Sequence, residues 1–256
     1  MKLKPTQWFG ALALSLVLLA STSPAAFADD DPWDDGPEDM ASRVFQVTIT
    51  NLTHGQPMTP PVVATHRKRT RVFDVGQPAS FGVKEIAENG NNAPLLADLG
   101  ANKKVFQAVQ AGGGPLVPTG KPGSANFPDS VTFNITAGRG ANRLSVVAML
   151  ICTNDGFTGL DSVRLPKWLG DGKVFYSAGY DAGTERNTED FADIVPPCQG
   201  LINGSSNGES AGTSNPALAE GGVIQHHPNI QGIADLVPAT HAWQDPVMKI
   251  TVKRIQ

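Results

Sequence analysis

The chain is poor in cysteine, in long apolar runs and in clustered basic residues, and each shortage excludes a class of protein. Two cysteines among 256 residues exclude a disulfide-dense scaffold. No apolar run after the first 20 residues approaches the ~20 residues that a membrane-spanning helix needs. The one basic cluster, residues 66–71, is short, and acidic residues outnumber basic ones by 24 to 20. Nothing therefore favours binding to nucleic acid or insertion into a membrane.

The amino-terminal residues have the pattern of a secretory signal peptide. Lys2 and Lys4 provide a basic start, residues 8–20 are apolar, and an Ala-Phe-Ala motif ends at Ala28. We expect cleavage after Ala28 and a periplasmic or extracellular mature protein. Loss of Lys2 and Lys4 leaves 18 basic against 24 acidic residues, a net charge of −6. Residues 29–42 are rich in aspartate and are predicted to form a disordered acidic leader.

The two cysteines, Cys152 and Cys198, are predicted to form one disulfide. An even number of cysteines in an exported chain indicates a disulfide, because the compartment is oxidising. In the chain-entropy model, closing this loop stabilises the fold by about 4 kcal/mol. Two isolated thiols with no histidine pair close by in the sequence do not indicate a metal site.

Strand patterns dominate residues 43–256, which we predict to be one all-β domain, an antiparallel β-sandwich. Apolar and polar residues alternate along residues 43–51, 131–136 and 247–255, as in strands with one buried face. The last of these strands can pair with an early one. Residues 143–152 form a longer apolar run, which indicates a central strand buried on both faces.

Shorter elements and long loops complete the predicted domain. Four further strands are predicted at residues 61–66, 70–74, 104–108 and 173–176. One or two short helices are predicted at residues 79–88 and 93–99, with inward-facing Phe81, Ile86, Leu95, Leu96 and Leu99. No alternation of strands and helices runs through the chain, which disfavours a doubly wound α/β fold. Residues 199–222 are rich in glycine, serine and asparagine and are predicted to form a long surface loop.

A serine-hydrolase signature is present in form but not in context. Residues 204–208 match G-x-S-x-G, and Asp235 and His241 follow Ser206 in the order of an α/β-hydrolase triad. The nucleophile should lie on a strained turn between a buried strand and a helix, whereas Ser206 lies in a polar loop. We therefore predict that the protein is not an enzyme. A secreted hydrolase using these three residues is the alternative.

Three acidic residues follow predicted strands near the disulfide. Asp155 comes directly after the long apolar strand, and Asp181 and Glu185 flank an Ala-Gly-Thr turn after the strand at residues 173–176. If these strands are neighbours, the three carboxylates face a common point. Such a group repels itself unless a cation neutralises it, and carboxylate oxygens suit Ca²⁺. A metal-free structural sandwich with solvated acids is the other interpretation.

These motifs resemble the spondin domain. Asn-Leu-Thr and Gln-Pro-Met-Thr-Pro-Pro-Val-Val within residues 51–66, and Gly-Gln-Pro-Ala-Ser at 76–80, look like the start of a bacterial spondin domain. Residues 153–161 and 180–185 are similar to its two loops. The resemblance covers about residues 44–255, and the Asp-Ala-Gly-Thr-acid segment is its most specific part.

The resemblance implies a C2-like β-sandwich with a binding, adhesion or structural role. The N-terminal domains of F-spondin and mindin, which are matrix and adhesion proteins, bind one calcium ion through an aspartate of the first loop and two acids around the Ala-Gly-Thr turn. The implied ligands here are Asp155, Asp181 and Glu185. The chain departs from the pattern at Gly156, where the animal domains carry tryptophan, and at Glu185, which replaces aspartate. The expected partner is an unidentified protein or glycan, and no oligomeric state is indicated.

Overall fold

The computed structural model describes residues 42–205 and 208–256, and within them ten strands form two antiparallel sheets. The strands are β1 (Arg43–Asn51), β2 (Val62–His66), β3 (Val105–Gln110), β4 (Ser130–Ala137), β5 (Arg143–Met149), β6 (Gly156–Arg164), β7 (Gly172–Ser177), β8 (Gly179–Asp181), β9 (Gln225–His226) and β10 (Met248–Arg254). One sheet has the order β4-β1-β10-β7 and the other β3-β2-β5-β6-β8-β9. The predicted all-β antiparallel sandwich is confirmed.

Four short α-helices lie in the connections between strands. They are α1 (Phe81–Asn89), α2 (Ala93–Ala101), α3 (Cys198–Ile202) and α4 (Pro238–His241). The Ser80 hydroxyl accepts a hydrogen bond from the Val83 N–H and begins α1, and Gly90 ends it in the left-handed conformation. Both predicted helices are confirmed in position. Among the described residues, none of the helices has the length and apolar character to cross a membrane.

The first and last strands form the centre of the four-stranded sheet. β1 pairs with β10 in antiparallel register, with Val47 opposite Val252 and Ile49 opposite Ile250. Alternation along both strands places these side chains on one face, where they join a single apolar core with residues of the six-stranded sheet. The predicted pairing of the C-terminal strand with an early strand is confirmed.

β5 is the buried central strand of the six-stranded sheet, between β2 and β6. Every residue of β5 after Arg143 is buried, because α1 packs against β5 and β6 while the four-stranded sheet shares the core with it. This burial on both faces explains why the residues from Leu144 to Met149 are apolar, with Ser145 as the one exception. The prediction of a central strand here is confirmed.

Several local predictions were wrong. Residues 70–74 form no strand, and Phe81, predicted to face inward, is 66 % exposed because it occupies the first position of α1. Residues 153–161, which resemble a spondin loop, were expected to be a loop, but from Gly156 onward they belong to β6. Their glycines and polar side chains are typical of loops, but pairing with β5 on one side and β8 on the other makes them a strand.

Some predictions fall partly or wholly outside the described residues. The signal peptide and all of the acidic leader except Ser42 lie outside the described residues, and so does Ser206. The predicted loop at residues 199–222 contains most of α3 and a 3₁₀ turn at Pro216–Leu218, and is otherwise irregular in its described part.

Candidate metal centre

The pairing of β8 with β6 brings the two predicted loops together. The chain leaves β5 at Met149, turns through residues 150–155 and returns as β6, so that Asp155 directly precedes that strand. β8 pairs with β6 with Asp181 opposite Gly156, and the Ala182 N–H donates to the Asp155 carbonyl at 3.1 Å. The condition stated for the sequence, that β5 and the strand at residues 173–176 are neighbours, is not met: that strand is β7, which belongs to the other sheet.

Asp155 lies at the centre of the candidate site and is 0 % exposed. Its Oδ2 accepts hydrogen bonds from the backbone N–H groups of Thr184 at 2.7 Å and Glu185 at 3.0 Å, and from the Thr184 hydroxyl at 3.2 Å. Its Oδ1 is buried and has no hydrogen-bond partner. A buried carboxylate oxygen without a donor is costly, and a cation bound to this atom would remove that cost.

Asp181 and Glu185 are also buried, at 1 % and 3 % exposure. The Asp181 carboxylate accepts from the Gly183 N–H at 2.7 Å and from the Asn187 side-chain amide at 2.6 Å. The Glu185 Oε1 accepts from the Asn215 N–H at 2.7 Å. Each acid is therefore held by a turn or by the segment that follows α3, and each keeps acceptor capacity for a cation.

The turn between these acids depends on Gly183. Its φ is +67°, and a Cβ at this position would lie 2.6 Å from the backbone N and O of Val223. The Gly222 N–H donates to the Gly183 carbonyl at 2.6 Å, which fixes the turn against residues 222–223. Glycine is required here for both conformation and space.

Burial raises the pKa of all three carboxyl groups, and repulsion adds to it at Asp155 and Glu185. Burial and, next, the charge of Asp181 raise the pKa of Asp155 to about 7, against the opposing hydrogen bonds from residues 184 and 185. Burial also raises the pKa of Glu185 to about 7, with added repulsion from Glu88 and Asp155. Burial raises the pKa of Asp181. The site disfavours three negative charges, and a bound cation would reverse that preference.

The distances between the carboxylate oxygens are compatible with a calcium ion between them. Within the described part of the chain, no three carboxylates have oxygens that all lie within 4.8 Å of one another. Ligands on opposite sides of a calcium ion, at 2.3–2.6 Å from it, are themselves about 5 Å apart, so this spacing does not exclude the ion. The all-oxygen donor set, the burial and the unpartnered Asp155 Oδ1 fit Ca²⁺.

The one described group that meets the closer spacing is Cys152, Cys198 and His241. The cysteines form the predicted disulfide, with an S–S distance of 2.09 Å and Cα atoms 5.0 Å apart, so they offer no thiolate to a metal. The disulfide joins the turn that carries Asp155 to α3, next to the segment that contacts Glu185. It is therefore a covalent support for the carboxylate site.

The departure at Gly156 has a local structural reason. The Thr153 hydroxyl accepts the Gly156 N–H at 2.9 Å, and a Cβ at Gly156 would lie 2.4 Å from that oxygen. Thr153 therefore occupies the space that a larger residue at position 156 would need.

The hydrolase alternative gains no support from the described residues. Asp235 accepts a hydrogen bond from the Phe191 N–H, and His241 Nδ1 bonds the backbone of Val237, so the described contacts include no Asp235–His241 hydrogen bond. Such a bond orients the histidine in a catalytic triad. Ser206 lies outside the described residues.

Sequence reasoning missed several residues around the site. Glu88 on α1 is 3 % exposed, neither of its oxygens has a hydrogen-bond partner, and its nearest cation is the Lys84 Nζ at 3.6 Å. Asn187 and Asn215 bond the acids directly. A Lys–Glu pair on a helix and single asparagines in loops are too common to indicate a role, so only the fold could identify them.

Two antiparallel sheets with a cluster of buried acids at one strand end define the class: a β-sandwich domain with a candidate cation site. A family model described as Spondin_N matches residues 53–192, more than half of the chain, and the chain belongs to this spondin N-terminal domain family. The match includes Asp155, Asp181 and Glu185. A comparison with curated proteins gives no match.

Proposed function

We propose that this chain is an exported calcium-binding β-sandwich with a binding, adhesion or structural role at the cell surface, in the periplasm or in the extracellular matrix. The observation that carries the calcium proposal is the buried, unpartnered Oδ1 of Asp155, whose carboxyl group is repelled by the buried Asp181 and Glu185. The expectation of export rests on the amino-terminal sequence and on the disulfide. The adhesion role rests on the family.

Calcium would supply the positive charge that the site lacks. Asp155, Asp181 and Glu185 would hold the ion, with hard oxygen ligands of the kind it prefers. The same Asp155 side chain already caps residues 184–185 through its other oxygen. Binding at Oδ1 would therefore tie the turn before β6 to the turn after β8.

The effect would extend to the segment after α3. Glu185 accepts a hydrogen bond from the backbone of Asn215, and Gly183 accepts one from Gly222. The disulfide holds the start of α3 to the turn before Asp155. An ion that fixes Asp155 and Glu185 would thus order one end of the sandwich, including loops that a partner can contact.

Thermal unfolding with calcium and with EDTA tests the proposal. We expect calcium to raise Tm, because a ligand that binds only the folded state stabilises it. Isothermal titration calorimetry should show binding that is lost in Asp155→Asn and in Asp181→Asn. Asp98→Asn, an exposed acid on α2, is the matched control and should bind as the wild type does. Wild-type protein that neither binds calcium nor shifts in Tm contradicts the proposal.

The role of Glu185 needs its own comparison. Glu185→Gln should weaken calcium binding by about tenfold or more, since it removes a charged ligand, while Glu185→Asp should retain most of the affinity. Equal affinity in wild type and Glu185→Gln would show that Glu185 is not a ligand, and would leave the two aspartates as the site.

A further inference from the structure

The four-stranded sheet differs in charge from the rest of the molecule. Its strands β1, β4, β7 and β10 contain no aspartate or glutamate, although acidic residues outnumber basic ones in the whole chain. The same strands carry five basic residues: Arg43, Lys173, Lys249, Lys253 and Arg254. These strands therefore carry basic residues and no acidic ones, and by register Lys249 and Lys253 are the two basic residues in the outward rows.

Strand register defines the outer face of this sheet, which we call the basic sheet face. Residues directly opposite one another on antiparallel strands point to the same side, and the neighbouring inward residues are buried in the core. Three rows cross the sheet on the outer side: Asn134, Gln46, Lys253 and Gly172; Thr132, Thr48, Thr251 and Val174; and Ser130, Thr50, Lys249 and Tyr176.

The polar side chains of the basic sheet face match sugar hydroxyls in chemistry. Hydroxyl and amide groups both donate and accept hydrogen bonds, as sugar hydroxyls do. Gln46, Thr132 and Asn134 are exposed, and the Thr48 and Thr132 hydroxyls lie 2.8 Å apart. Four strands spaced about 4.8 Å apart give a surface about 14 Å across, which is open to an extended polymer.

Aromatic side chains border this polar surface. Tyr176 on the edge strand β7 is 56 % exposed, and Trp168 in the turn before β7 is 60 % exposed. That turn is held beside the end of β10, where the Gly170 N–H donates to the Arg254 carbonyl at 2.9 Å. The Tyr176 ring offers an apolar face on which a sugar ring can stack, whereas the Lys167 Nζ lies over the Trp168 ring, 4.7 Å from its centroid.

Lys249 and Lys253 decide the charge of the ligand. Among the described residues, no salt bridge involves either lysine, and no strand of this sheet contributes a carboxylate to pair with them. Charge complementarity therefore favours an anion. Two lysines among many hydroxyl groups suit a polymer of lower charge density than a nucleic acid. Proteins that bind nucleic acids instead present dense clusters of arginine and lysine or channels in which bases stack.

We propose that the basic sheet face binds an acidic polysaccharide whose sugars carry carboxylate groups. Tyr176 stacks on a sugar ring, Lys249 and Lys253 contact carboxylates, and the central threonines and amides bond hydroxyl groups. This face is on the opposite sheet from Asp155, Asp181 and Glu185, so it does not depend on the calcium proposal. The two can fail separately.

Binding to polygalacturonate, measured by microscale thermophoresis in EDTA at low salt, tests the inference. EDTA prevents calcium from bridging the polymer to the acidic site. We expect Lys249→Glu/Lys253→Glu to weaken binding by about tenfold or more, because it reverses two contacting charges. Tyr176→Ala should weaken it by about threefold or more. Binding should fall as salt rises.

Matched controls separate this surface from general charge and exposure effects. Lys103→Glu/Lys104→Glu makes the same charge change at exposed residues before β3, and Phe81→Ala removes an exposed ring from α1. Both controls should bind as the wild type does. Melting curves establish that every variant is folded.

Several outcomes would overturn the inference. These are no binding by the wild-type protein, equal weakening in the control variants, or equal binding to neutral dextran. Tighter binding to a single-stranded oligothymidylate would indicate nucleic acid instead. A wild-type dimer in sedimentation velocity that dissociates in the Lys249→Glu/Lys253→Glu variant would assign the face to a second copy of the chain.

Discussion

The acidic end of the six-stranded sheet and the basic sheet face present charge in opposite ways. Asp155, Asp181 and Glu185 are buried together; burial raises the pKa of each, and repulsion adds to the shift at Asp155 and Glu185. Lys253 is exposed and Lys249 is half-buried on the outer face of a sheet. The buried acids store unfavourable free energy that a ligand can release, whereas these lysines mainly set which ligands approach.

The difference also concerns how each region is supported. The acidic end consists of turns held by hydrogen bonds to side-chain carboxylates, by Gly183 and by a disulfide. The basic sheet face is supported by continuous strand pairing and by the core beneath it. Substitutions should therefore have large effects on stability at the acidic end and small ones on the basic sheet face.

The largest effect is expected from removing the disulfide at the acidic end. Cys152→Ser/Cys198→Ser opens a loop with a sequence separation of 46 residues and should lower the free energy of unfolding by about 4 kcal/mol. Urea unfolding measures this change. A reducing agent should destabilise the wild type similarly and leave the double variant unaffected. A loss below about 1 kcal/mol would show that the turns are held without the disulfide.

A glycine comparison tests the crowding of the Ala-Gly-Thr turn. Gly183 and Gly221 have φ values of +67° and +64°, but a Cβ meets nothing within 4 Å at Gly221 and lies 2.6 Å from the Val223 backbone at Gly183. Gly221→Ala should cost about 1 kcal/mol for its backbone conformation. Gly183→Ala should cost about 1–3 kcal/mol more because of overpacking. Equal losses of unfolding free energy would contradict the close approach.

The stored free energy at Asp155 should depend on pH. Its pKa is raised from 3.8 to about 7 in the folded protein, so the folded state holds the proton more tightly than the unfolded state. Stability of the calcium-free protein should therefore fall as pH rises from about 4 to about 7. Asp155→Asn removes this loss. In EDTA at pH 8 the variant should be more stable than the wild type by about 1 kcal/mol or more, and near pH 4 the two should be similar.

Comparing Asp155→Asn with the wild type cancels the pH dependence that other titrating groups give to both proteins. Burial lowers the pKa of His66, His227 and His241, which weakens the fold as pH falls, but these histidines are present in both proteins. The charged groups near Asp155 are Asp181 and Glu185, with Glu88 and Lys84 beyond Glu185. They are also shared, although their coupling to residue 155 changes with the variant. An Asp155→Asn variant less stable than the wild type at pH 8 in EDTA would show that its hydrogen bonds outweigh the buried charge.

The smallest effect is expected on the basic sheet face. Thr132→Val removes a hydroxyl that bonds Thr48 in an exposed position and should change the free energy of unfolding by about 0.5 kcal/mol or less. Thr158→Val makes the same change at a buried hydroxyl that contacts Ser177 and the Ala178 carbonyl, and should cost about 1–3 kcal/mol. Similar losses in the free energy of unfolding for Thr132→Val and Thr158→Val would contradict the expected difference between an exposed and a buried hydroxyl.

Much of the fold followed from local patterns. Strands with one buried face, such as β1 and β10, alternate so clearly that both their existence and their inward residues could be predicted. β6 could not, because its identity depends on hydrogen bonds to β5 and β8 and not on its own composition. The sequence pointed to Asp155, Asp181 and Glu185 as candidates, but it left open whether their strands are neighbours; the acids come together through β8 beside β6, since β7 belongs to the other sheet.

The sequence by itself determined the fold class, the cysteine pair and the identity of the candidate acids, because these depend on side-chain type and short-range periodicity. Only the tertiary structure decided that Asp155 Oδ1 lacks a partner, that Glu88 is buried near the acids, and that the lysines of β10 face outward among hydroxyl groups. Burial and strand register arise from contacts between residues far apart in the chain. No local pattern carries that information.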